Sequence, residues 1–227
     1  MQTHYLVLVF FIAGTIMSVV LHEIAHGFIA RQCGDHTAEA AGRLSLNPIK
    51  HIDPFMTILM PILTMVFSGG SLIFGGAKPV PINPYFFRNL EIDDLKVSVA
   101  GVATNFAIAL ACGATLHAWP RESAGFTLFT MLTVANLGLG FFNLIPIPPL
   151  DGSHVARFFL ARINPGLAAV YERIGMMGLI LVFMFASIFS GPIFLAMNFV
   201  WKDVLLMTDV QWYRVIGEFW GNFSAQP

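Results

Sequence analysis

Charged side chains are scarce in this sequence. Asp, Glu, Lys and Arg together make up 11% of its 227 residues, whereas an ordinary soluble domain has roughly 25%. Hydrophobic residues make up 56%, and the mean hydropathy is +0.74. This balance excludes an ordinary soluble globular domain and predicts an integral membrane protein that lies in a lipid bilayer.

A basic surface and a cysteine framework are also missing. The formal net charge of −1 provides no electrostatic footprint for nucleic acid. Cys33 and Cys112 lie far apart without a C-x-x-C pattern, so neither a thiolate metal site nor a disulfide framework is indicated. The N-terminal region lacks the basic residues and the cleavage site of a signal peptide, so we expect a retained first membrane segment.

Apolar runs occupy much of the chain, at about 5–28, 55–76, 97–118, 126–147 and 175–206. A helix that crosses the hydrocarbon core needs about 20 apolar residues. We therefore predict an all-α polytopic membrane protein with about five to six membrane segments. The whole chain, 1–227, is expected to form a single domain, with a core at about 5–160 and C-terminal helices at 165–227.

The second apolar run has Pro61 in its middle and carries Gly69-Gly70 and Gly75-Gly76 towards its end. Proline interrupts helical hydrogen bonding and glycine permits a tight reversal. We therefore predict a re-entrant segment near 55–76, and one ordinary crossing is the alternative. Re-entrance also leaves nine of the twelve Lys and Arg residues on one side, which the positive-inside rule assigns to the cytoplasm.

Three ionisable side chains interrupt the first apolar run, in the stretch VVLHEIAHGF at 19–28. His22 and His26 lie four residues apart and share one helix face, beside Glu23. Imidazoles at this spacing can bind one Zn²⁺, and the glutamate can reach a water on the metal. An ionised carboxylate near mid-membrane costs about 2.5–3.5 kcal/mol. This cost favours a functional site over the alternative, histidines that only hydrogen-bond to neighbouring helices.

A catalytic zinc commonly has three protein ligands, and Asp151 in the stretch FFNLIPIPPLDGSHV is the candidate for the third. Prolines at 146, 148 and 149 end the preceding helix and free backbone groups at membrane depth. In the alternative interpretation, Asp151 and the glycine after it form an ordinary turn. His154 could also bind the metal, although such a histidine is more often a polar neighbour of the ligands.

These motifs resemble the site-2 protease family of intramembrane zinc metalloproteases, in its small bacterial subgroup without a PDZ or CBS domain. The resemblance covers residues from about 15 to 160. The matching segments are HEIAHG at 22–27, GRLSLNPIKHIDP at 42–54, GGAKPVPINPYFFR at 75–88, AGVATNF at 100–106 and NLIPIPPLDG at 143–152.

The resemblance implies a role for each matching residue. His22, His26 and Asp151 would bind one zinc ion per chain, and Glu23 would be the catalytic acid and base. Asn143 would bind the substrate backbone or stabilise the oxyanion. Gly101 and Asn105 match a G-x-x-x-N motif of the family and would contact the substrate. We expect a bacterial cytoplasmic membrane protein with its active site towards the cytoplasm.

Polar and apolar residues alternate from Gly42 to Asn47, as in a strand. Together with the resemblance, this alternation predicts a small β-hairpin near 38–48. Its edge, with Arg43, Leu44 and Ser45, would pair with an unwound segment of the substrate.

The predicted function is hydrolysis of a peptide bond within or near a transmembrane segment of a membrane-protein substrate. The alternatives are a membrane zinc transporter, which needs a polar path across the membrane, and a catalytically silent scaffold, which would be expected to have lost Glu23 or a zinc ligand. Neither the path nor such a loss is evident in the sequence. The sequence gives no prediction of the oligomeric state.

Overall fold

The computed structural model describes residues 2–67, 75–175, 177–184 and 186–224, and within them all regular secondary structure is helical. The chain divides into two compact units, which are described separately below. The motif unit is Ile16–Gly101, and the C-terminal unit is Met1–Thr15 together with Val102–Pro227. The α-helices are α1 (Gln2–Gln32), α2 (Thr37–Ala40), α3 (Met60–Phe67), α4 (Leu90–Thr115), α5 (Ala124–Asn143), α6 (Gly152–Ile163), α7 (Pro165–Glu172), α8 (Met177–Met184), α9 (Ala186–Phe199) and α10 (Trp212–Ser224).

Three described helical stretches are long and apolar enough to cross a membrane: Thr3–Gln32, Leu90–Ala118 and Ala124–Asn143. They confirm the predicted all-α membrane protein. The predicted total of five to six segments is not confirmed.

The segment near 38–48 forms no β-hairpin, which corrects the prediction from the sequence. The N–H of Arg43 donates to Ala38 O at 2.9 Å, so the backbone continues the turn of α2. Gly42 has a φ of +63°, a left-handed conformation that turns the chain. The Asn47 side chain then accepts from the N–H of Ile49 and begins a 3₁₀ turn. Local turn bonds therefore use the backbone groups that a strand would need.

The predicted re-entrant segment begins with a π-helical stretch, Pro54–Leu59, that leads into α3. Its far end returns to its start, because the Gly76 N–H donates to Met56 O at 2.9 Å and Thr57 Oγ1 donates to Gly76 O at 2.7 Å. The predicted reversal at Gly69-Gly70 lies outside the described residues. The two ends of the segment are thus side by side.

In the C-terminal unit, α5 packs against α9 and α10. Phe126 and Trp201 lie at the centre of an apolar cluster and are each 1% exposed. The Trp201 indole donates to Val210 O at 2.8 Å. This bond satisfies the buried polar atom of a side chain that is otherwise enclosed by apolar groups. The prediction of a single domain over 1–227 stays a prediction.

Candidate metal centre

The histidine pair lies one helical turn apart on α1, in the motif unit. His22 and His26 are both buried, each with 7% exposure, and their Nε2 atoms are 3.0 Å apart. A tetrahedral zinc with Zn–N bonds of about 2.0–2.1 Å would hold two such nitrogens about 3.3 Å apart. The observed separation differs from this value by a few tenths of an ångström. The donor pair therefore fits zinc, and a small rotation of either ring would complete the fit.

A backbone carbonyl sets the orientation of the second imidazole. His26 Nδ1 lies 2.7 Å from Val97 O, which belongs to α4. A carbonyl can only accept a hydrogen bond, so the proton of a neutral His26 ring lies on Nδ1. Nε2 is then the ring atom with a lone pair for a metal. A hydrogen bond of this kind fixes both the tautomer and the ring plane of a metal ligand.

Gly101 lies against the same two rings. A Cβ placed on Gly101 would be 2.3 Å from His26 Nε2 and 2.6 Å from His22 Cε1. Both separations are far below van der Waals contact, so only glycine fits between the backbone of α4 and the imidazoles. Gly101 was predicted to contact substrate, and in this unit it borders the histidine pair.

The carboxylate of Glu23 meets the backbone of a distant segment. The Val80 N–H donates to Glu23 Oε2 at 2.8 Å. Val80 is buried and belongs to the stretch after the predicted re-entrant segment, which is neither helix nor strand. A carboxylate that accepts from an N–H makes a charge-assisted hydrogen bond, which is stronger than a neutral one. One oxygen of Glu23 is thereby fixed.

The three residues predicted to form the substrate-binding edge make contacts inside the motif unit. Arg43 is 8% exposed, and its Nη2 donates to Lys78 O at 2.7 Å. Leu44 packs at Gly27, and Ser45 O accepts from the His51 ring at 2.9 Å. The residues therefore support the loop itself, and their predicted contact with substrate stays a prediction.

Asp151, Asn143 and Asn105 belong to the C-terminal unit. Asp151 is half-buried and directly precedes α6 without capping it. A Cβ on Gly152 would lie 2.2 Å from Leu144 O, so the residue after Asp151 has to be glycine. Asn143 is the last residue of α5, and Asn105 is 1% exposed on α4. The roles of these three residues stay predictions.

One amide hydrogen of Asn143 is already used within its own helix. Asn143 Nδ2 donates to Leu139 O at 3.0 Å, which is the local bonding typical of asparagine near a helix end. A primary amide carries two N–H groups. The bond to Leu139 therefore leaves the second one for another acceptor.

Two residues at the histidine–glutamate motif were not foreseen from the sequence: Val80 and Val97. Both contribute backbone atoms, and a valine side chain gives no sign of such a role. The only signal was indirect, because prolines at 79 and 81 leave Val80 as the one N–H donor between them.

A buried pair of histidines four residues apart with an adjacent glutamate, on a helix long enough to span a bilayer, is the arrangement typical of a membrane-embedded zinc metallopeptidase. Comparison with known proteins gives the family. The profile of peptidase family M50 matches residues 121–188. YwhC of Bacillus subtilis (strain 168), named as a zinc metalloprotease, is 35% identical over 187 residues, which cover 78% of each chain.

Two further relatives are longer than the matched region. Rip2 of Mycolicibacterium smegmatis, also named as a zinc metalloprotease, is 38% identical over 151 residues, or 64% of this chain and 55% of its own. The zinc metalloprotease MJ0392 of Methanocaldococcus jannaschii is 24% identical over 186 residues, or 76% of this chain and 44% of its own. The chain thus spans about half the length of these two relatives. No solved structure matches the chain at a significant level.

The chain belongs to peptidase family M50. This confirms the resemblance to the site-2 protease family that was inferred from the sequence motifs. It also confirms three predictions: the protein is an intramembrane metalloprotease, its cofactor is zinc, and it is an integral membrane protein.

Proposed function

We propose that this protease hydrolyses a peptide bond within or next to a transmembrane segment of a membrane-protein substrate. The observation that carries the proposal is the position of His22, Glu23 and His26, buried or half-buried on a helix long enough to span the bilayer. A soluble substrate would not reach such a site easily. A substrate that is itself embedded in the membrane can approach it laterally.

When bound, zinc supplies Lewis-acid polarisation of a carbonyl and lowers the pKa of water. His22 and His26 would hold the ion, with the ring of His26 oriented by Val97 O. We assign Asp151 as the third ligand, because a catalytic zinc site commonly uses three protein ligands. Asp151 also stands at the matching position of the family motif, NLIPIPPLDG.

Glu23 moves the proton in this mechanism. Its carboxylate takes a proton from the attacking water and delivers it to the nitrogen of the departing amine. The hydrogen bond from the Val80 N–H holds one oxygen of Glu23, and the other oxygen is left for the water. Asn143 would donate its second N–H to the oxyanion that develops on the scissile carbonyl.

The topology follows from the segment at 55–76. The hydrogen bonds of Gly76 with Met56 and Thr57 support re-entrance, because a straight crossing would place the two ends about 30 Å apart. Re-entrance keeps most Lys and Arg residues on one side, which favours a cytoplasmic active site. We assign the protein to a bacterial cytoplasmic membrane because its motifs resemble those of the small bacterial subgroup of the family. Asn105 is assigned to substrate binding by the resemblance.

The test compares wild type with Glu23→Gln in liposomes that contain a transmembrane test substrate. We expect wild type to bind about one zinc per chain and to cleave, while Glu23→Gln keeps the zinc and loses at least about 100-fold in rate. Glu39→Gln is the matched control, because Glu39 is an exposed glutamate of the same unit that pairs with Arg31. It should cleave like wild type.

Two outcomes would contradict the proposal. Cleavage that survives in Glu23→Gln would remove this glutamate from the mechanism. Zinc flux across the liposome membrane, without cleavage by any of the three proteins, would favour the transporter alternative.

A further inference from the structure

Residues 78–82, with the sequence KPVPI, lie in a segment of the motif unit without helix or strand, and we call them the strap. Prolines at 79 and 81 lack an N–H and fix their own φ angles. Val80 between them is therefore the one residue in the middle of the strap that can donate a backbone hydrogen bond. That single donor goes to Glu23 Oε2 at 2.8 Å.

Three contacts hold the strap in place. At its beginning, the Lys78 N–H donates to His51 O at 2.8 Å, and Arg43 Nη2 donates to Lys78 O at 2.7 Å. Val80 is 6% exposed, and its side chain packs at Gly27, where a Cβ would lie 2.9 Å from Val80 Cγ1. The strap is thus anchored on one side by Arg43 and closely packed against the helix that carries the motif.

We propose that the strap is a positioning element for Glu23, with Val80 as the donor and Arg43 as its anchor. This inference rests on the proposed role of Glu23 in proton transfer. A glutamate side chain on a helix has several rotamers, and only some of them would present an oxygen to the attacking water. The Val80 N–H selects one of them by binding Oε2, which is the advantage of a site arranged before the substrate arrives.

The arrangement also accounts for the unusual sequence of the strap. The two prolines remove the donors on either side of Val80 and favour an extended backbone. The N–H of Lys78 donates to His51 O and that of Val80 to Glu23 Oε2, so the middle of the strap places one N–H at one carboxylate oxygen.

Hydrogen exchange tests the contact without relying on activity. The strap contains only three amide hydrogens, those of Lys78, Val80 and Ile82, so the exchange of one amide is readily resolved by mass spectrometry. In Glu23→Ala, we expect one strap amide to exchange about 10- to 100-fold faster than in wild type. Glu23→Gln is the matched control, because its carboxamide oxygen still accepts, and it should retain the protection.

Equal exchange in wild type and Glu23→Ala would overturn the proposal. This result would be independent of the proposed function, because it can be obtained even if no substrate is cleaved. Conversely, a wild type that never cleaves while the amide is protected would contradict the proposed function and leave the contact established.

Kinetics then test whether the contact positions Glu23. Val80→Pro removes the donor, and we expect kcat to fall about tenfold or more with KM and zinc content unchanged. Ala77→Pro is the control, because no hydrogen bond from the Ala77 N–H occurs within the described part of the chain. It adds a proline immediately before the strap and should cleave like wild type.

A second pair of variants keeps the test decisive if Val80→Pro does not fold. Arg43→Met removes the donor to Lys78 O and should lower kcat in the same direction, while Arg43→Lys should retain activity, since a lysine can still donate to Lys78 O. An unchanged kcat in Val80→Pro or in Arg43→Met would overturn the proposal. A raised kcat would also overturn it, because it would show that the strap blocks Glu23 and has to leave before catalysis.

Discussion

Gly101→Ala should weaken zinc binding although it replaces none of the proposed ligands. The added Cβ would lie 2.3 Å from His26 Nε2, about 1 Å inside normal contact, so the imidazole or the helix has to shift. Overpacking of this kind typically costs about 1–3 kcal/mol. The ring cannot simply turn away, because His26 Nδ1 is bonded to Val97 O at 2.7 Å, one turn from Gly101 on the same helix. Losing that bond would cost about 1 kcal/mol more.

Together these effects amount to about 2–4 kcal/mol, or a roughly 30- to 1,000-fold weaker affinity for zinc. The assay is a competition between the purified protein and a chelator of known zinc affinity. Gly138→Ala is the matched control, since apart from the adjoining residues and backbone of α5 itself no atom of the described residues lies within 4 Å of the Cβ it would add. It should bind zinc like wild type. A Gly101→Ala protein with wild-type zinc affinity would refute the assignment of the histidine pair as the metal site.

Three further predictions concern the C-terminal unit. Asn143→Ala should lower kcat by about 10²- to 10³-fold with zinc content unchanged, if its amide stabilises the oxyanion. An unchanged kcat would contradict this role and leave Asn143 only its hydrogen bond to Leu139 O. Gly152→Ala should lower the melting temperature markedly, because its Cβ would lie 2.2 Å from Leu144 O, and a wild-type melting temperature would contradict this geometry. Trp201→Phe should cost about 1 kcal/mol in the free energy of unfolding through the lost bond to Val210 O, and a denaturant titration that shows no change would contradict that bond's contribution.

The proximity of the two histidines could be predicted from the sequence because it depends on local geometry. Residues four apart on a helix share a face whatever surrounds them, so His22 and His26 could be paired before any tertiary structure was known. The structure confirms this, with Nε2 atoms 3.0 Å apart. The membrane character could be predicted for a similar reason, because the composition and the length of the apolar runs can be read without knowing how the helices pack.

The prediction of a hairpin near 38–48 was wrong because an alternation of polar and apolar residues is a weak signal over only six residues. Polar and apolar residues also alternate when a loop sends one side chain inward and the next outward. Here Leu44 packs at Gly27, and Arg43 reaches across to Lys78 O. Gly42, in its left-handed conformation, and the turn bonds from residues 42 and 43 then use the backbone groups that a strand would have offered to a partner.

The orientation of the motif could not be inferred from the sequence, and this limit has a physical cause. The imidazole of His26 is oriented by a carbonyl 71 residues away, and the carboxylate of Glu23 by an N–H 57 residues away. Every residue except proline offers the same N–H, and every residue the same carbonyl, so side-chain identity gives no information about which one is used. The motif thus specifies the chemistry, while the backbone of α4 and of the strap specifies where its atoms point. It follows that substitutions which displace Val80 or Val97 should lower the activity of the enzyme even when His22, Glu23 and His26 are all intact.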